Sequence, residues 1–181
     1  LTWVQASTDA GRRWVVANDE QGHFTTGVKP DGLDSNRDAI RQYTLWGNLM
    51  AGGAGVEYYF GYEYPQNDLN CEDWRSRDQS WEYCRIALSF FKENKIPFWE
   101  MHNADSLVGN EQSDNSKYCF AKPGEVYAIY LPNGGYADLE LEDNDVEFNV
   151  RWFNPRVGGS LQTASIKEVN GPGKVTLGEP P

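Results

Sequence analysis

Basic residues are scarce in this chain. Sixteen Lys and Arg stand against 27 Asp and Glu over 181 residues, a net charge of −11 at neutral pH. Such a surface repels polyanions, and no basic stripe interleaved with aromatics offsets it, so neither nucleic acid nor an anionic membrane is an expected partner. Long apolar runs are also lacking: none approaches the ~20 residues that cross a bilayer. Leu1-Thr2-Trp3-Val4 carries neither an initiator Met nor a basic-then-apolar leader, so the start reads as a cut. The three cysteines, Cys71, Cys84 and Cys119, are an odd number at no metal-ligand spacing, which argues against a zinc site or a disulfide framework. A helix joining Cys71 to Cys84 would hold their Cα atoms ~20 Å apart, beyond disulfide reach, and all three read as buried free thiols. There is no Gly-rich phosphate loop with its Lys, no Gly-x-Ser-x-Gly elbow, no His-Glu-x-x-His helix and no calcium loop of recognisable spacing. No cofactor and no metal are expected.

What the chain has is ring systems. Aromatics make up 14% of it, with seven Trp and ten Tyr. These side chains present a flat apolar face with a polar edge, which suits a sugar ring and suits a packed core equally well. The hydrophobic share of 39% is that of an ordinary globular protein.

The two halves read differently. Trp14-Val15-Val16-Ala17-Asn18 is a short, continuously apolar run of the kind a strand buried on both faces shows. Gln21 to Ser35, with Gly22, Gly27, Pro30 and Gly32, is a long loop. A helix is predicted from about Asn36 to Met50, where Ile40, Tyr43, Leu45, Trp46 and Leu49 recur at helical spacing. Gly52-Gly53-Ala54-Gly55 stops it and precedes a second strand, Val56 to Phe60. An aromatic loop with Tyr62, Tyr64 and Pro65 follows. A second helix is predicted from Glu72 to about Asn94, with Asp73 and Arg77 as an i,i+4 ion pair and Pro97 as the stop. This order implies parallel strands joined by right-handed crossovers.

From residue 117 only short strands and turns appear. Lys117 to Ala121, Glu125 to Leu131, Tyr136 to Leu141, Val146 to Phe153, Ser160 to Val169 and Lys174 to Leu177 are the predicted strands. Turns are expected at Pro123-Gly124, Pro132-Asn133-Gly134-Gly135, Asp143-Asn144-Asp145 and Asn170-Gly171-Pro172-Gly173. The fold class is therefore α/β followed by all-β: residues 1–97 as a βαβα unit, 98–116 as a connector, and 117–181 as a small antiparallel β-sandwich.

Acidic residues directly after a buried parallel strand are the most informative chemistry, because such sheets bind ligands beyond the carboxyl ends of their strands. Asp19 and Glu20 stand there. In extended backbone adjacent side chains point to opposite sides, so only one is expected to face a site. Tyr59, Tyr62 and Tyr64 lie at or beyond the next strand end, on the same rim, and His23 is placed to orient Glu20. A carboxylate beside a row of tyrosines is the chemistry of a sugar site. Glu100, His102 and Asp105 are ligand-type residues for which the sequence offers no mechanism.

Several segments together carry a resemblance. Trp14-Val-Val-Ala-Asn-Asp-Glu20, Leu45-Trp-Gly-Asn-Leu-Met-Ala-Gly-Gly-Ala-Gly-Val-Glu-Tyr-Tyr-Phe-Gly61, Asp68 to Asp78, Pro97-Phe-Trp-Glu-Met101, Tyr118 to Tyr127, Tyr130-Leu-Pro-Asn-Gly-Gly135 and Arg151-Trp-Phe-Asn-Pro-Arg156 resemble the C-terminal portion of apiosidase-like glycoside hydrolases. These are bacterial (β/α)8, or TIM, barrels followed by a β-sandwich labelled collagen-binding. From about residue 12 onward, the resemblance implies strands seven and eight of the barrel and then the sandwich. It implies a secreted or periplasmic protein with a carbohydrate substrate, and Glu20 as catalytic nucleophile with Asp19 as competitor. His23, Tyr59, Tyr62 and Tyr64 would then bind substrate. The acid/base would lie in the missing N-terminal barrel portion, and retaining hydrolysis needs two carboxyls ~5 Å apart. The alternative is a non-catalytic module that binds carbohydrate or a collagen-like matrix protein.

Overall fold

A computed structural model of the chain describes residues 1–12, 14–36, 38–70, 73–142 and 146–181. Cys71, Glu72 and the turn expected at Asp143-Asn144-Asp145 lie outside the described residues. The chain divides into two compact units, Leu1–Leu49 with Gly53–Ile86, and Met50–Gly52 with Ala87–Pro181.

In the first unit a short helix α1 (Thr2–Asp9), with no buried residue, leads to strand β1 (Ala17–Gln21). β1 pairs in parallel with β2 (Gly55–Tyr58), as the βαβα order requires. The strand expected at Trp14–Asn18 begins three residues later, and its first apolar residues are not covered: Trp14 is 62% and Val15 84% exposed. Two-sided burial needs neighbours on both edges and faces, and β1 has one strand partner among the described residues.

The helix predicted to end at Met50 is present, but it is π-wound over Ile40–Gly47 before continuing as α2 (Asn48–Met50). Arg41, Gln42, Leu45 and Trp46 are buried. Asn48 then closes the turn into β2. Its carbonyl accepts from the Gly53 N–H (2.9 Å) and its side-chain amide donates to the Gly55 carbonyl (2.6 Å). A Cβ at Gly53 would run into that amide, so the glycine is required by contact and not by an unusual φ.

A 3-10 turn, Trp74–Arg77, leads into α3 (Asp78–Glu93). The start of α3 is tied from far away in sequence, since the Gln79 N–H donates to the Asp31 carboxylate (3.1 Å) and the Asp31 N–H to the Ser76 carbonyl (2.8 Å). Arg77, expected to pair with Asp73, is fully buried. Its Nε donates to the Val28 carbonyl (3.1 Å) and its guanidinium lies 4.4 Å from the Phe60 ring centre. The helical ion pair observed at this end is Arg75 with Asp78, exposed and 3.8 Å apart. Cys84 is free and half-buried beside the Tyr58 hydroxyl. Cys119, in the second unit, is free and buried, and burial pushes its thiol up to about 12.

The second unit is built from antiparallel pairs, as its turn-rich sequence requires. β3 (His102–Asn103), β4 (Tyr118–Lys122) and β5 (Val126–Tyr130) form one sheet. β6 (Asp138–Leu141) pairs with β9 (Gly173–Thr176), and β7 (Glu147–Asn149) with β8 (Glu168–Asn170). One face of each contributes to a shared core of Cys119, Ala121, Leu139, Leu141, Val150, Val169 and Leu177, with Ala104 and Val108 from the stretch before β4. β5 and β7 are shorter than predicted at both ends and β6 starts two residues late, while β4 and β9 have the predicted length shifted by one residue. The stretch expected to run from Ser160 to Val169 is strand only at its end, and an isolated bridge from Trp152 to Gln162 is all that precedes it. Asp105 is buried within the connector and accepts from the Cys119 N–H (2.8 Å), so this ligand-type residue holds a strand in place. No described helix is long and apolar enough to cross a membrane.

Candidate functional site

The carboxyl ends of β1 and β2 feed two loops, residues 22–28 and 59–63, that are fastened to each other through backbone. The Val28 N–H donates to the Tyr59 carbonyl (2.7 Å), and the Tyr62 and Glu63 N–H groups both donate to the Thr25 carbonyl (2.9 and 2.7 Å). Gly27 and Gly61 make this approach possible. Both have positive φ (+45° and +71°). A Cβ on Gly27 would meet backbone of Phe60 and Gly61 at 2.6–2.7 Å, and one on Gly61 would meet Thr25 to Gly27 at 2.6–2.8 Å.

Just before these loops the strand pairing slips. Asn18 pairs with Val56 and Gln21 with Tyr58, so Asp19 and Glu20 together oppose Glu57 alone. This is a β-bulge, and Glu20 takes the left-handed conformation it demands, at φ 47°. An ordinary strand would send Asp19 and Glu20 to opposite faces. The bulge instead sets Asp19 and Glu20 opposite Glu57 in the pairing, and the Asp19 carboxyl reaches that of Glu57.

The electrostatic consequence falls on Glu57. A hydrogen bond with the Asp19 carboxyl, then the charge of Asp19, hold its pKa above the ordinary 4.5, with burial, Glu20 and Asp68 adding to the rise. A hydrogen bond between two carboxyls needs a proton on one of them, and the rise at Glu57 favours its protonated form. Asp68 accepts from the Phe60 N–H (2.9 Å), which fixes the second loop beneath the cluster.

The aromatic rim is formed around the same strand end. Tyr59 is half-buried and donates from its hydroxyl to the Phe24 carbonyl (2.9 Å), and its ring meets that of Tyr62 edge-on at 5.9 Å. Burial first, then the Tyr62 hydrogen bond and charge and the negative charges of Asp68 and Glu20, push the Tyr59 hydroxyl up to about 12. Tyr62 is exposed and Tyr64 half-buried. His23 bonds within its own turn, with Nδ1 2.9 Å from the Thr25 hydroxyl, and its ring lies 4.5 Å from that of Phe24.

Glu57 and Asp68 were not singled out from the sequence. A signal for Glu57 existed, since it is the one charged residue in the apolar run Val56-Glu57-Tyr58-Tyr59-Phe60. The bulge that brings Asp19 to it leaves no such trace. Among the described residues no group of three His, Cys, Asp or Glu side chains is disposed to hold a metal ion. The cluster's chemistry is proton exchange and negative charge at the mouth of an aromatic rim.

A family model described as "Putative collagen-binding domain of a collagenase" matches residues 103–181, the antiparallel β part of the chain. Neither the curated proteins nor the solved structures contain a match to this chain.

Proposed function

We propose that this chain is part of a glycoside hydrolase, with residues 1–97 as the last two βα units of a (β/α)8 barrel and residues 117–181 as an accessory β-sandwich. The observation that supports this reading is the carboxyl pair of Asp19 and Glu57 beside Glu20 at the carboxyl ends of two parallel strands. In the proposed reaction the Glu20 carboxylate attacks the anomeric carbon. The bond to the leaving oxygen breaks as Glu57, proposed here in place of the upstream acid/base that the resemblance implies, gives that oxygen its proton, which leaves a glycosyl ester on Glu20. The Glu57 carboxylate then takes a proton from water, the water attacks the same carbon, and Glu20 is released. Asp19 acts as a positioning residue whose hydrogen bond and charge raise the Glu57 pKa and so favour its acid form. Tyr59, Tyr62 and Tyr64 supply ring faces and hydroxyls to the sugar, and His23 lines the turn beside them.

The assay, on the intact protein that carries the whole barrel, is release of reducing ends from a panel of plant and bacterial glycans, together with aryl glycosides whose leaving groups need little protonation. Glu57→Gln is expected to lower turnover on the glycans by about a hundredfold, the usual weight of a general acid, and to spare the aryl glycosides. Equal losses on both substrate types remove Glu57 from the acid role, and no release from any substrate defeats the hydrolase reading.

A second reading rests on the family match over 103–181. There the β part attaches the protein to a collagen-like matrix protein or a polysaccharide outside the cell, and catalysis by the first unit is not required.

A further inference from the structure

A second aromatic surface lies well away in sequence from the carboxyl cluster, at the 3-10 turn Phe98–Glu100 of the second unit. Trp99 is 63% exposed there, although a ring of that size is normally covered. The ring is nevertheless held. Its indole N–H donates to one Glu100 oxygen (2.9 Å), and the other Glu100 oxygen is bound by the Lys122 ammonium (2.7 Å). That ammonium also binds Glu125 at 2.7 Å. Behind it, Phe98 meets Trp99 edge-on at 5.3 Å, and the series continues inward through Phe91, Phe90 and Phe153 with centroid separations of 6.0, 5.2 and 4.9 Å. An exposed ring fixed by a polar chain on one side and an aromatic stack on the other has lost its rotamer freedom before any ligand arrives.

The rim decides the ligand class. Glu100, Lys122 and Glu125 form an acceptor, donor and acceptor chain that starts at the indole N–H, a mix that matches the hydroxyls of a neutral sugar. A net charge of −11 disfavours acidic glycans. The flat indole matches the C–H face of a pyranose. We infer that Trp99, with Glu100, Lys122 and Glu125, forms a stacking platform for a neutral glycan chain, separate from the carboxyl cluster. The bonds from Lys122 and Trp99 lower the Glu100 pKa, which favours the ionised acceptor. The platform does not depend on hydrolysis: a chain without activity would still carry it.

The test is calorimetric titration of the full chain with cellohexaose, xylohexaose and mannohexaose, carried out in a Glu20→Gln background so that binding is read without cleavage. At least one hexasaccharide is expected to bind. Trp99→Ala should weaken that binding roughly tenfold or more, the loss typical of a central tryptophan. Glu100→Gln, which loosens the ring without removing it, should weaken it several-fold and serves as the second variant if Trp99→Ala disturbs folding. Binding by none of the three sugars, or binding unchanged in both variants, overturns the platform. So does a Trp99-dependent dimer seen by sedimentation, or capture of a triple-helical Gly-Pro-Pro peptide in place of the sugars.

Discussion

Gly61→Ala is expected to destabilise the first unit by about 3 kcal/mol or more and to open the rim on which the candidate site is built. Two costs add at this position. The φ of +71° strains any residue with a Cβ, by roughly 1 kcal/mol. The larger cost is contact, because the new methyl group would sit 2.6 Å from the Thr25 carbonyl oxygen, 2.7 Å from the Thr26 carbonyl carbon and 2.8 Å from the Gly27 nitrogen. All three are backbone, which cannot rotate away as a side chain can. Relief requires the 22–28 and 59–63 loops to separate, with loss of the Thr25 and Tyr59 carbonyl bonds. Gly11→Ala separates the two costs. Its φ is +74°, but nothing lies within 4 Å of the position its methyl group would take, so it should shift a urea midpoint by the strain alone. Equal midpoint shifts for the two variants would mean that the loops are not fastened as described.

Glu20→Gln is expected to reduce glycan turnover on the order of 10⁴-fold with little change in KM, because the amide still fits the rim but cannot form the glycosyl ester. Asp19→Asn is the informative comparison. It leaves Glu20 able to attack and removes the partner that raises the Glu57 pKa, so activity should survive in part with its alkaline limb moved to lower pH. If Asp19→Asn abolishes turnover and Glu20→Gln does not, the two exchange roles and Asp19 is the nucleophile. Undiminished turnover in both variants removes these carboxylates from the chemistry.

The parallel order of the first unit and the antiparallel character of the second were legible because both follow from local patterns. Helical spacing from Ile40 to Leu49 and closely spaced turn residues after Pro123 do not depend on distant contacts. Tyr59 directly follows β2, as its place after an apolar run suggests, whereas Glu20, expected just past a strand, lies within β1. What could not be read depends on partners remote in the chain. Arg77 looked like a surface helix charge facing Asp73, but its Nε bonds the Val28 carbonyl, 49 residues away. Trp14 and Val15 carry a buried-strand composition and are exposed, because burial requires neighbours that composition does not supply. The bulge at Asp19 and Glu20 is the most consequential case. Alternation predicts one carboxylate facing a site, while the pairing slip puts both residues opposite Glu57 and Asp19 in contact with it, and only the register of β1 on β2 reveals it.

The raised pKa of Glu57 also fixes a sign for stability. A carboxyl whose pKa is raised by folding favours the folded state below its ordinary 4.5 and loses that contribution as pH rises through the raised value. The most direct measurement is therefore a ¹³C NMR titration of the Glu57 side-chain carboxyl in the full chain, repeated in Asp19→Asn. The pairing described here predicts a Glu57 midpoint above 4.5 that falls toward the ordinary value once Asp19 is an amide. A Glu57 that titrates at its ordinary value in the unaltered chain, or one whose raised midpoint ignores the Asp19 substitution, would contradict it.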